Sequence, residues 1–216
     1  MAGEVEPEKP KLRGVLHQVA FFIAIAIAPI LIVGARRDAH AAAAVFAASV
    51  VACFGASALY HRVTWKPRAR LWLRRIDHAG VYFLIAGTYT PVALLVLQGA
   101  WRPVVLTIVW AGAIAATLLK FVWVAAPKWL AAGIGIALGW VAVVVLPQMI
   151  EHLHPAAVTL LIVGGLAYTA GAIVYARRRP DPLPAVFGYH ELFHALTIVG
   201  VSRQYVAIAF FVVRAG

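Results

Sequence analysis

The sequence predicts an all-α membrane protein, a bundle of seven transmembrane helices with the N-terminus in the cytoplasm and the C-terminus outside. Three observations predict it. Of 216 residues, 63% are hydrophobic and only 12% are charged, and mean hydropathy is +0.89, a composition for lipid rather than water. Seven apolar runs are each long enough to cross, since a spanning helix needs about 20 mainly apolar residues. The basic residues sit between these runs, mostly in alternate loops, rather than together in one polar domain.

Residues 1–16 are expected to form a cytoplasmic tail, and 17–216 a single transmembrane domain. The stretch from Met1 to Arg13 carries Glu4, Glu6, Glu8, Lys9, Lys11 and Arg13 around two prolines and reads as solvated. The apolar run after it has no small-residue cleavage site, so the first helix is expected to remain in the mature protein. The spans fall near His17 to Ala35, Ala41 to His61, Asp77 to Leu97, Pro103 to Val124, Trp129 to Ile150, Ala156 to Ala176 and Gly188 to Val213. Polar breaks at Arg36-Arg37-Asp38, Arg62 to Arg75, Arg102, Lys128, Glu151 to His154 and Arg177 to Asp181 separate them. Pro29, Pro91 and Pro147 lie inside spans and can kink them, and Gly135 with Gly139 makes a small-xxx-small pair suited to close helix packing. Trp65, Trp72, Trp101, Trp123 and Trp129 lie near span ends, as interfacial anchors do. Cys53, the single cysteine, excludes an intramolecular disulfide and a Cys-cluster zinc site, and reads as a packing residue.

Orientation follows from lysine and arginine. The tail and the even-numbered loops hold Lys9, Lys11, Arg13, Arg62, Lys66, Arg68, Arg70, Arg74, Arg75, Lys120, Lys128, Arg177, Arg178 and Arg179, fourteen in all, against Arg36, Arg37, Arg102 and Arg214 on the other side. The excess places the N-terminus inside. Arg203 is left within the last helix, where it is expected to face protein or water rather than lipid. The net charge of +11 is read as topology and contact with lipid headgroups, and no nucleic-acid partner is expected.

Ionisable residues in or at the ends of spans are costly in lipid, so their positions point to chemistry. His61 ends the second predicted span, Asp77 begins the third, and His190 and His194 begin the seventh. All three ends fall on the cytoplasmic side of a topology drawn without use of histidine. His190 and His194 are one turn apart on one helix face, and Ser57 and His61 share that spacing. Three imidazoles from two helices, with a carboxylate at similar depth, can make a three-histidine zinc site whose fourth position is water, the open position that a catalytic metal requires. The plainer reading of Asp77 is a helix N-terminal acid beside Arg74 and Arg75. His17 and His40 lie at span ends without a partner at useful spacing, His152 and His154 belong to an outer loop, and His78 points about 100° around the helix from Asp77. Residues 190–194 also match H-E-x-x-H, in which the glutamate is a metalloprotease base. Glu191 and Asp77 are thus competing candidates for the base.

The run Arg75-Ile76-Asp77-His78-Ala79-Gly80, continuing to Ala86-Gly87-Thr88-Tyr89-Thr90-Pro91, together with Ser57-x-x-x-His61 and His190-x-x-x-His194, resembles the hemolysin III proteins, the bacterial branch of the progestin and adipoQ receptor family. The resemblance covers essentially the whole chain. It implies seven helices with a cytoplasmic N-terminus, zinc held by His61, His190 and His194, a water held at the metal by Asp77, and Ser57 beside the metal. Glu191 is not in that family's shared metal set, which makes a peptidase less attractive.

Two classes of function follow as expectations. One is a zinc-dependent hydrolase acting on a ceramide-like lipid amide or an ester whose chains enter the helix bundle, with Asp77 and Ser57 as catalytic residues, in a bacterial plasma membrane. The other is a receptor or sensor in which zinc ties two helices together without turnover. A lytic or channel function would need a polar stripe through the bundle, and the spans are almost wholly apolar.

Overall fold

The structure, a computed structural model, describes residues 10–214. It is helical throughout, with α1 at Val15–Val33, α2 at His40–Arg62, α3 at Pro67–Leu95, α4 at Trp101–Val122, α5 at Lys128–Gly139, α6 at Leu146–His152, α7 at Pro155–Arg177 and α8 at Tyr189–Ala207. Among the described residues the sole β feature is an isolated bridge between Leu183 and Phe187. Six helices (α1, α2, α3, α4, α7 and α8) are long and apolar enough to cross a membrane. A seventh span is reached by joining Lys128–Val143 to Leu146–His152, which meet at a 49° bend. The count is therefore compatible with seven spans, one of them broken.

The break has a local cause. Pro147 sits in the first turn of α6, where a missing N–H costs nothing but where a continuous helix from α5 would lose a bond and meet the ring. The chain tightens into a 3-10 segment at Trp140–Val143 before it bends. Tyr89 of α3 answers the disturbed backbone: its hydroxyl donates to Gly139 O at 2.6 Å and accepts from Ala142 N at 2.7 Å. Non-regular backbone at membrane depth requires such partners.

Sequential helices pack side by side from α1 to α4, α5 packs on α3, α4 and α7, α7 packs on α8, and α8 meets α1, closing a ring. Close approach within the ring occurs where a glycine faces the neighbouring helix. Gly80 abuts the Cys53 backbone, and Gly164 and Gly171 of α7 abut α8. Gly135 and Gly139 do not serve this way. A Cβ at Gly139 would meet nothing within 4 Å and one at Gly135 would only touch Ile85, because both line a cavity.

Three further expectations are corrected. Helix α3 starts at Pro67, so Asp77 lies well inside it rather than at its start. The basic run 68–75 reads as loop by hydropathy, yet arginine and leucine are good helix formers and Pro67 suits a first turn. Asp77 is therefore not an N-terminal helix acid. Arg203 is exposed on the outside of the bundle, because Gly200, Val201, Gln204 and Ala207 occupy the inner face of α8, so of the two surroundings expected for it the protein interior is excluded. The tail is not solvated through Arg13. Lys11 N and Leu12 N donate to Ala185 O and Val186 O, which ties residues 11–12 to the loop before α8. The acidic residues Glu4, Glu6 and Glu8 lie outside the described residues.

Candidate metal centre

One end of the ring gathers the C-terminal turn of α2, the third turn of α3 and the first turns of α8. His61 Nε2 and His190 Nε2 lie 3.2 Å apart. His61, His190 and His194 each offer a ligand atom, all within 4.8 Å of one another. Two nitrogens bound at about 2.0–2.1 Å to one tetrahedral ion stand about 3.3 Å apart, so the first pair is already spaced as co-ligands. His194 Nδ1 is buried and has no hydrogen-bond partner. The donor set fits a metal ion: three imidazoles at ligand spacing, with a buried nitrogen otherwise unanswered.

Asp77 Oδ2 lies 3.6 Å from His61 Nε2, the same nitrogen that faces His190. That distance is too long for a direct hydrogen bond and is of the kind a bridging water fills. Ser57, one turn before His61, lies within electrostatic reach of the Asp77 carboxyl, and its buried Oγ closes no hydrogen bond of normal geometry. The five residues singled out in the sequence thus come together, from three helices, at one end of the fold.

Glu191 does something else. It is fully buried, accepts from the N-cap Gly188 N at 2.9 Å as an acid at the third position of α8, and pairs with the Arg13 guanidinium. With both oxygens so engaged, it is a structural acid that fastens the chain ahead of α1 to the start of α8. The H-E-x-x-H spacing here records a helix cap beside two histidines.

His17 was missed by spacing. It is buried in α1, and its ring stacks on His194 with centroids 3.7 Å apart and planes 10° from parallel. Neither ring nitrogen has a partner. Parallel rings at this separation do not share a metal in both planes, so His17 supports the face of His194 rather than joining the three. Its partner is on a helix at the far end of the chain, and no local pattern could have announced it. His40, His152 and His154 belong to the opposite end: His40 bonds Ala35 O, and His154 caps α7 through Ala156 N and stacks on Phe211.

The cluster opens into a cavity of about 260 Å³. Ser57, Asp77, His17, His190 and His194 line one end; Val145, Leu146 and Met149, at the bend between α5 and α6, line the other. Between them the wall is almost wholly apolar. Trp140, Val143, Ile162 and Leu166 line the cavity and are also exposed on the bundle surface, so it opens sideways between the α5 span and α7.

A family model described as haemolysin-III related matches residues 5–205. The chain belongs to this family. Among its relatives, the hemolysin-3 homolog of Bacillus subtilis (strain 168) is 29% identical over 79% of this chain and 76% of the relative. Hemolysin-3 of Bacillus cereus is 28% identical over 92% and 89%. The heptahelical transmembrane protein ADIPOR2 of Oryza sativa subsp. japonica is 30% identical over 76% and 79%. Membership in the haemolysin-III family and the spanning helices make this a multi-pass membrane protein.

Proposed function

We propose that this chain is a zinc-dependent hydrolase of a lipid amide or ester, set in a bacterial plasma membrane with its N-terminus in the cytoplasm and its C-terminus outside. The observation that carries this reading is the placement of three imidazoles, Asp77 and Ser57 at the inner end of an apolar cavity that opens sideways. A ligand drawn from the bilayer would enter between α5 and α7, lay its chain along the apolar wall and bring its polar linkage to the histidines. The relatives' bacterial sources support the membrane assigned, and the fourteen-to-four distribution of Lys and Arg supports the orientation.

His61, His190 and His194 would hold the metal. Zinc, when bound, polarises a carbonyl and lowers the pKa of water to about 7. Asp77 would orient a water beside His61 and take its proton, a role its 3.6 Å offset from Nε2 leaves room for. Ser57 Oγ would donate to the carbonyl oxygen as charge develops there. His17 would keep the His194 ring fixed by stacking.

Elemental mass spectrometry of detergent-purified protein tests the metal, and Asp77→Asn tests the chemistry. About one zinc per chain in wild type, lost in both His190→Ala and His194→Ala, is expected. Asp77→Asn should keep zinc and lose hydrolysis of ceramides and related amides. Metal-free wild type after zinc supply would remove the mechanism. Zinc without turnover on any lipid amide or ester would leave a receptor or sensor held together by metal.

A further inference from the structure

Lys120 is the lysine or arginine found on the cavity wall among the described residues. It sits in the last turn of α4, is 3% exposed, and reaches only Ala126 O, at 3.5 Å. The ion pairs among the described residues are Arg13 with Glu191, Arg36 with Asp38 and the contact of His61 with Asp77, so no acid answers Lys120. A buried ammonium is costly unless an anion or several strong acceptors meet it. His78 lines the same cavity from α3, lies within electrostatic reach of Lys120, Arg74 and Lys128, and has its Nδ1 buried without a partner. Two unanswered polar groups, one of them a cation, thus share a wall near the histidine end of an otherwise apolar chamber.

We propose that Lys120, beside His78, is a subsite for the anionic head of a single-chain amphiphile whose tail fills the apolar part of the cavity. This rests on the cavity being a lipid site, as in the function proposed above, but not on hydrolysis or on the metal. The recognised group is a carboxylate or a phosphate, since either accepts a charge-assisted bond from an ammonium. Arginine in place of Lys120 would keep the attraction; an isosteric apolar side chain would not.

Equilibrium binding of dodecanoate, dodecyl phosphate and uncharged dodecylglycerol to purified protein tests this, with Lys120→Met and Lys120→Arg alongside and metal content measured on each. Wild type should bind at least one anion about tenfold or more tightly than the neutral chain, a difference of about 1.4 kcal/mol. Lys120→Met should bind all three alike with unchanged metal and an undiminished thermal midpoint, and Lys120→Arg should keep the preference. A preference for dodecanoate alone assigns a carboxylate, and one for dodecyl phosphate alone assigns a phosphate. Equal binding of all three by wild type, or a preference retained in Lys120→Met, would overturn the proposal while leaving the metal-dependent reading untouched. Failure of every chain to bind would overturn it together with the lipid cavity, and the metal content would then stand as a separate result.

Discussion

Arg13, just ahead of α1, and Glu191, in the first turn of α8, form an ion pair across 178 positions of chain. Glu191 is wholly buried, so its charge is tolerated only because the guanidinium and Gly188 N meet it. Arg13→Ala should lower stability by about 3–5 kcal/mol, the range for stripping one partner from a buried pair. Thermal unfolding in detergent reads this as a fall in the midpoint. Glu191→Gln should also lose stability; loss of activity with an unchanged midpoint would instead return Glu191 to the candidate bases.

Gly14 sets how closely α1 approaches His61, one of the three candidate metal ligands. Its φ is +79°, and a Cβ added there would stand 2.5 Å from His61 Cβ. Gly14→Ala meets both the left-handed backbone, costing about 1–2 kcal/mol, and the side chain of a candidate metal ligand. Metal affinity should weaken about tenfold or more, as when the support of a ligand is disturbed. Titration with a competing chelator measures it, and wild-type affinity in this variant would show that His61 is not positioned from α1.

Tyr89 holds the broken span through two hydrogen bonds to backbone. Tyr89→Phe removes both of these bonds from the backbone at Gly139 and Ala142 and should destabilise by about 1–3 kcal/mol, the net worth of two hydrogen bonds. Hydrogen exchange should rise first at residues 139–143. Uniform exchange across the bundle would mean that the bend is held by something else.

Gly139 and Gly165 line the cavity with nothing within 4 Å of where a Cβ would stand. Gly139→Leu should therefore fold, keep its metal and lose binding of a dodecyl chain, because the new side chain occupies the chamber. Chain binding at wild-type strength would place the lipid outside this cavity.

The helical class, the span positions and the five candidate residues that the fold gathers at one end were legible in the sequence because hydropathy and i, i+4 spacing are local signals. The run 190–194 showed two histidines on one face, and the loops separated the spans. The start of α3 was not legible, since a basic helical turn and a basic loop have the same hydropathy. The packing role of Gly135 and Gly139 was misread for a related reason: a small-xxx-small pair reports that two positions lack side chains, not whether a helix or a void stands opposite.

By itself the sequence determined an apolar, all-helical chain and singled out three of its eight histidines, an acid and a serine as candidates for chemistry. The tertiary structure decided which of these meet. Only ring closure of α8 on α1 stacks His17 on His194 and brings Arg13 to Glu191, because contacts between helices far apart in the chain depend on packing that no local periodicity encodes.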